Sequence, residues 1–331
     1  MKSYEPKCSF NNPYKWAFAV MALAVPFAVR NLYYLHLINL IGIYSLIVIG
    51  LNILSGYTGQ VSMGQAGYFA IGTYTSALLM MRLNAPFWAA TVLAAVMAAV
   101  SGIVIAIPAL KLTGPYLVMA TVGFGEIIRL VLVNWVPVTK GAAGLTGIPA
   151  PSFLGFKVVS ERSFFYLIYT VVSLGILVAV RISNSKIGRT FMAIREDELA
   201  AESMGVPTNV YKVAAFAIGA AYAGIAGSLY GSFAGVASPD SFTFDDSVGF
   251  LCMSVIGGNR SVYGALIGSV SLTLFSELLR FMQSYRLIVY GAILLLTAIF
   301  MPRGISGFSP IIRDFLGRKK SRGHANTHYS Q

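Results

Sequence analysis

Long apolar runs follow one another along most of the chain, and one strongly charged stretch, residues 181–212, interrupts them. Of the 331 residues, 56% are hydrophobic and only 11% are charged, whereas a soluble domain carries about 25% charged residues. A run of about 20 apolar residues is long enough to cross the hydrocarbon core of a bilayer as a helix. The pattern therefore predicts an all-α integral membrane protein, with residues 1–331 forming one polytopic domain.

About ten spanning or partly spanning helices are predicted, six before the charged stretch and four after it. The segment at 56–81, which includes the predicted span 64–81, is rich in glycine, so its backbone either approaches its neighbours closely or breaks. The run at 248–256 is short enough to be either a half helix or a tilted crossing. Residues 136–162 predict a long Gly- and Pro-containing loop. The predicted spans are 16–29, 35–54, 64–81, 87–107, 116–135, 164–182, 213–236, 248–256, 265–281 and 287–301.

The distribution of basic residues predicts which side of the membrane each loop faces. With ten crossings, the N-terminus, the charged stretch and the C-terminus share one side, which carries 16 of the 24 Lys and Arg residues. Cytoplasmic loops are enriched in these residues. The sequence therefore predicts a cytoplasmic loop at 183–212, a basic cytoplasmic tail at 303–331, and an acidic loop at 240–246 on the outer side. The same topology, with anionic lipid nearby, accounts for the net charge of +12 without a nucleic-acid partner.

The charged stretch, here called the island (residues 181–212), cannot cross a bilayer, because each ion would cost roughly 3 kcal/mol near its centre. Residues 195–204 are rich in Glu, Ala, Leu and Met, which favours a helix, and Gly205 followed by Pro207 predicts its end. Helical spacing puts Glu198 and Glu202 on one face, and Ala200, Ala201 and Met204 on another. Two interpretations stay open from these residues alone: a docking element for another protein, or a solvated loop helix.

The sequence lacks the usual motifs of an enzyme. No Gly-Lys dipeptide is present, so there is no P-loop for ATP, and there is no GxSxG nucleophile motif. The three histidines do not have metal-ligand spacing, and the two cysteines, Cys8 and Cys252, form no metal pattern. We therefore expect a transport conduit that is not an enzyme and needs no cofactor or metal.

Polar residues inside apolar runs are candidates for a translocation path. Glu126 and Arg129 lie three residues apart and can pair on one helix face, either lining a water-filled path or holding spans together. Gln60, Ser62 and Gln65 lie in the glycine-rich segment, where they either bind substrate or pin helices together. Both alternatives stay open for both groups.

Several stretches together form a recognisable set, which spans most of residues 40–307: residues 51–79, 114–131, 144–149, 188–231, 255–268 and 290–307. In order and spacing they resemble the branched-chain amino acid permease family of ATP-binding cassette (ABC) importers, and they resemble its LivM-type member more than its LivH-type member. Two departures from the family, Gln65 and the Asn259–Arg260 pair, leave the exact substrate open.

The resemblance implies a permease subunit of an importer in the bacterial inner membrane that carries branched-chain amino acids. Its implied partners are a second homologous permease, two cytoplasmic ABC ATPases, and a periplasmic or extracellular substrate-binding protein. Urea or short amides are the alternative cargo, and a proton-coupled secondary transporter using Glu126 is an alternative of another class. The motif carries the ATPase-coupling role onto Gly188, Arg189, Arg195, Glu196, Glu198, Ala200, Ala201 and Gly205.

Overall fold

A computed structural model confirms the all-α class. Among the residues that the structure describes, the strands are four two-residue segments, and every other element of regular structure is helical. The predicted span at 16–29, the tail at 303–331 and most of the predicted span at 287–301 lie outside the described residues. The structure describes residues 31–110, 112, 114–153, 156–259, 261–278, 288–292 and 295.

Eleven α-helices have both ends within the described ranges, and residues 288–292 and 295 are also helical. The first of the eleven continues into a π-helical segment, Asn52–Tyr57. In chain order they are α1 Leu32–Leu51, α2 Gln65–Arg82, α3 Phe87–Ala109, α4 Pro115–Asn134, α5 Val136–Thr139, α6 Glu161–Asn184, α7 Lys186–Glu196, α8 Glu198–Ser203, α9 Thr208–Ala234, α10 Phe244–Gly257 and α11 Val262–Leu278.

Five helices in the described part of the chain are long and apolar enough to span a membrane: α1 with its π-helical segment, α3, α4, α6 and α9. Each lies where a span was predicted. The predicted crossing at 64–81 and the described part of the one at 265–281 are also helical, as α2 and α11, but these helices are less apolar or shorter.

Close backbone packing builds the centre of the bundle. Helix α9 packs most extensively against α3 and α2. A Cβ atom added at Gly72 of α2 would lie 2.5 Å from the Gly224 Cα of α9, and one at Gly224 would lie 2.6 Å from the Ala98 Cβ of α3. Small residues at helix crossings in membranes permit this approach. The glycine-rich segment therefore approaches its neighbours along α2, as predicted.

The bundle has two ends, defined by the island and by the region farthest from it. At the island end, Arg195 donates a hydrogen bond to the Gly56 carbonyl, and Asn52 Nδ2 donates to the Ser261 carbonyl at 2.9 Å. At the opposite end, Arg82 Nη2 donates to the Pro137 carbonyl at 2.9 Å. The island therefore lies against the π-helical end of α1, and that segment in turn contacts the turn between α10 and α11.

Helix α10 contains the short apolar run 248–256 and has the length of a half helix. Its 14 residues extend about 21 Å, less than the hydrocarbon core of about 30 Å. Its first turn borders Glu126, in the middle of α4, and the turn after it lies against the π-helical segment. Helix α10 therefore starts partway along the bundle and runs to the island end.

The predicted loop at 136–162 contains regular structure that the sequence did not indicate. After α5 comes a 3-10 turn at Gly141–Ala143, and β1 (Leu145–Thr146) pairs antiparallel with β4 (Val236–Ala237). Strands β2 (Ser152–Phe153) and β3 (Phe156–Lys157) form a second ribbon. The β1–β4 pairing joins the loop to the end of α9, and satisfies backbone groups there.

Candidate coupling and translocation site

The helix predicted at 195–204 is present over Glu198–Ser203 as α8, but its predicted start is wrong, because a separate helix, α7, ends at Glu196. Helix α7 ends at Glu196, and Asp197 takes an extended conformation with φ −157°. The Asp197 carboxylate accepts a hydrogen bond from the Ala200 backbone N–H at 3.0 Å and caps α8. Asp is a preferred N-cap residue, which accounts for the break. The predicted stop is confirmed, because Gly205 follows α8 with φ +81°.

Helix α8 does not have the apolar face that helical spacing predicted. Ala201 is buried against the protein, whereas Ala200 and Met204 are exposed. Leu199 and Met204 keep 75% and 85% of their surface accessible. The exposed apolar surface of this short helix is therefore formed by Leu199 and Met204 with Ala200 beside them, and Ala201 faces inward.

Two polar contacts attach α8 to the start of α9. Glu198 forms an ion pair with Lys212, whose side chain is only 5% exposed. The Thr208 hydroxyl donates to Glu202 Oε1 at 2.6 Å. A buried ammonium needs a compensating charge, so the pair fixes Glu198 at this position.

Arg195 attaches the end of α7 to the π-helical segment. Its guanidinium donates to the Gly56 carbonyl, and its Cγ would lie 3.1 Å from a Cβ atom added at Gly59. A Cβ atom at Gly56 would lie 1.8 Å from the Asn259 carbonyl oxygen, so no larger residue fits there. π-Helical turns inside helices are frequent at functional positions.

Of the other residues predicted to take part in ATPase coupling, some are packed against the protein and some are exposed. A Cβ atom at Gly188 would lie 2.4 Å from the Ile182 carbonyl oxygen, so Gly188 allows the sharp passage from α6 into α7. Arg189 is exposed and donates to the Asn184 carbonyl at 3.3 Å, and Glu196 is exposed. All eight predicted residues thus lie on one segment, some facing the bundle and some facing outward.

A cleft of about 660 Å³ opens at the island end. It brings Gln60, from the segment between α1 and α2, to the same surface as Arg195, Glu196 and Glu198 of the island. This groups one of the predicted path residues with three of the predicted coupling residues.

Ser62 and Gln65 lie deeper than Gln60 and are fully buried. Both polar atoms of the Gln65 amide and the Tyr68 hydroxyl, one turn further along α2, lack a hydrogen-bond partner. Buried polar groups are usually paired, so unpaired ones call for an explanation. Gln65 has the polar capacity expected of a path residue.

Glu126 and Arg129 pair as predicted, at a different place from Gln60 and Gln65. Arg129 Nη2 lies 2.8 Å from Glu126 Oε1, and its Nη1 lies 3.9 Å from Asp240 Oδ1. All three side chains are substantially accessible. Glu126 also borders a small cavity with Ala66, one residue beyond Gln65.

Sequence reasoning missed several contributors to the site. Lys212 was counted only as an island charge, although its position at the start of an apolar run signals burial. The Ser247 hydroxyl accepts a hydrogen bond from the Ala66 backbone N–H at 3.0 Å and joins α10 to α2. Asp240 adds to the Glu126–Arg129 pair. No group of three His, Cys, Asp or Glu side chains within the described ranges could hold a metal ion.

The fold and site define a polytopic helical membrane protein with a charged segment attached to its helix ends. Residues 33–298 match the model of the family described as "Branched-chain amino acid transport system / permease component". The chain belongs to this family of permeases.

Named relatives agree with the family assignment. The chain is 34% identical over 312 residues to the high-affinity branched-chain amino acid transport system permease protein LivM of Escherichia coli K12, covering 87% of this chain and 73% of the relative. It is 29% identical over 288 residues to LivH of the same organism, covering 80% and 91%. A probable LivM of Methanocaldococcus jannaschii is 24% identical over 328 residues, covering 84% and 94%. No solved structure matches the chain.

Proposed function

We propose that this protein is a permease subunit of an ABC importer that carries branched-chain amino acids across the bacterial inner membrane. The cargo follows from the names of the relatives, which are branched-chain amino acid transport permeases. The sequence contains no P-loop, which supports the proposal that a separate ATPase chain hydrolyses ATP. The permease then receives work at its cytoplasmic surface and opens its path to one side at a time.

The observation that carries the proposal is the attachment of the island to two transmembrane elements. Arg195 contacts the π-helical segment, and Glu198 pairs with Lys212 at the start of α9. Leu199 and Met204 remain exposed on the outer surface of α8. A segment with an exposed apolar surface and fixed inner contacts can pass the movement of a bound protein to the helices.

The proposed partners follow from the same arrangement. Two cytoplasmic ATPases dock on the island, with Leu199 and Met204 in a groove of one of them. A second, homologous permease completes the membrane unit, and a binding protein outside the membrane delivers the substrate. The basic residues predicted on the island side support a cytoplasmic location for it.

Reconstitution into proteoliposomes tests the proposal. With the second permease, the ATPases and the binding protein, we expect ATP-dependent uptake of labelled leucine and none of labelled urea. The chain alone should transport neither solute. Proton-driven uptake by the chain alone would identify a secondary transporter, and uptake of urea in preference to leucine would reassign the cargo.

Two substitutions test the coupling role of the island. Glu198→Lys places two ammonium groups together, and Gly205→Pro demands φ near −65° where the backbone has +81°. Both should separate ATP hydrolysis from uptake in the assembled complex. Gly205→Asn is the matched control, because Asn tolerates positive φ and should keep coupling. Full coupling in both test variants would remove the island from the mechanism.

A further inference from the structure

The cleft at the island end has two chemically different sides. One side is apolar and includes Leu117 and Val118 of α4 and Ile194 of α7. The other side carries charged and polar groups of the island and of the segment after the π helix. Its volume of about 660 Å³ lies within the range of about 300–1,000 Å³ typical of small-molecule sites.

The charged side presents both signs. Glu198 and Lys212 neutralise each other. Arg195 supplies a cation, and the exposed Glu196 and Asp197 supply carboxylates beside it. Arg195 also contacts the Gly56 carbonyl. A ligand that matches this surface carries a carboxylate for the guanidinium, an ammonium for the carboxylate, and an apolar body for the opposite wall.

We infer that this cleft binds an apolar α-amino acid in its zwitterionic form, and that its occupancy lowers the rate of import. The inference rests on the proposed function, which places the cleft on the cytoplasmic side, where imported amino acid accumulates. It adds a site for the released cargo that is separate from the buried Gln65 region.

The effect on transport follows from competition between the Gly56 carbonyl and a ligand carboxylate for the Arg195 guanidinium. A hydrogen bond between a guanidinium and a carboxylate is stronger than one to a neutral carbonyl. A bound carboxylate therefore draws Arg195 away from Gly56 and weakens the attachment of the island to the π-helical segment. Movement of the island then reaches α1 less effectively, so internal amino acid slows further uptake.

The test uses the complete importer in proteoliposomes that contain ATP and increasing concentrations of unlabelled leucine. We expect millimolar internal leucine to reduce the initial rate of uptake of external labelled leucine about fivefold, a typical strength of coupling between sites. Leucinamide lacks the carboxylate and 4-methylpentanoate lacks the ammonium, so neither should inhibit. Equal inhibition by all three compounds would overturn the inference.

A lipid headgroup with an ammonium and a phosphate is the competing occupant. Parallel measurements in vesicles with and without phosphatidylethanolamine separate the two sources. The inference requires the same inhibition by leucine in both. Inhibition that appears only in vesicles without this lipid would assign the cleft to the headgroup and overturn the inference.

A larger side chain on the apolar side of the cleft would block the site and leave the charged groups in place. Val118→Phe should abolish inhibition by internal leucine while uptake from unloaded vesicles continues. Val131→Phe is the matched control, because it makes the same change on the same helix at an exposed position outside the cleft. Inhibition that persists in Val118→Phe, or disappears in Val131→Phe, would contradict the assignment.

Binding of leucine to the purified complex provides a second measurement, which can be made even when a variant transports poorly. Equilibrium dialysis of labelled leucine without the binding protein should show at least tenfold weaker binding in Glu196→Gln, and unchanged binding in Asp245→Asn at the start of α10. Equal binding in both variants would overturn the site. If the wild-type complex takes up no leucine into vesicles that contain no internal leucine, the proposed function fails. If uptake is normal but internal leucine neither inhibits it nor binds to the complex, only this inference fails.

Discussion

The two ionic clusters of the bundle differ in burial, although each is built around one basic residue. At the island end, Lys212 is almost fully buried and its single partner Glu198 is half-buried. In the second cluster, along α4, Glu126, Arg129 and Asp240 are 43%, 29% and 80% exposed. Water screens the second cluster and not the ammonium of the first. The comparison indicates that the island cluster has a larger effect on stability, and the following substitutions test it.

The largest effect is expected from Glu198→Ala, which leaves the Lys212 ammonium buried without its counter-charge. Loss of one partner of a buried pair typically costs about 3–5 kcal/mol, and the half exposure of Glu198 places the expected loss near 3 kcal/mol. Thermal unfolding in detergent measures it. The double variant Glu198→Ala with Lys212→Met removes both charges and should recover most of the loss. A single variant as stable as the wild type would contradict the assigned burial.

Gly56→Ala should have the next largest effect, because the added Cβ atom would lie 1.8 Å from the Asn259 carbonyl oxygen. Overpacking typically costs about 1–3 kcal/mol. The turn after α10 must move away from the π-helical segment, so we also expect weaker coupling of ATP hydrolysis to uptake. The control is Gly123→Ala on α4, where no atom lies within 4 Å of an added Cβ. Identical unfolding temperatures for the two variants would refute the close contact.

Glu126→Gln should change stability by less than about 1 kcal/mol, because exposed ion pairs contribute little. We expect normal expression and unfolding temperature together with strongly reduced leucine uptake, the result that a path-lining role for Glu126 predicts. Uptake assays beside thermal unfolding separate the two roles left open by the sequence. Retained uptake with a large loss of stability would identify a structural pair.

The smallest effect is expected from Asp240→Asn. Its carboxylate is 80% exposed and lies 3.9 Å from Arg129, so the loss should be within about 0.5 kcal/mol. Unfolding temperature and uptake should both match the wild type within error. A loss comparable to that of Glu198→Ala would remove the distinction between the two clusters.

The sequence predicts most of the helices because their signals are local. Apolar run length alone located α1, α3, α4, α6 and α9, and the spacing of Glu126 and Arg129 was enough to predict their pairing. The stop at Gly205 was also predictable, since glycine takes positive φ at helix ends.

The missed features depend on contacts distant in sequence. The π-helical segment lies against a turn about two hundred residues away, where Asn52 meets Ser261. Strand pairing of Leu145 with Ala237 joins two loops that show no strand pattern. The helix break at Asp197 was missed for a different reason. Asp is compatible with either a helix interior or an N-cap, and tertiary contacts decide between them.

The near contact of Gly72, Gly224 and Ala98 has a mechanical consequence. Where main chains touch, there are no long side chains between them that could change rotamer and absorb a shift. Helices α2, α3 and α9 should therefore turn as one rigid block during each transport cycle. The hinges must lie at the edges of that block, where the chain leaves regular helical geometry.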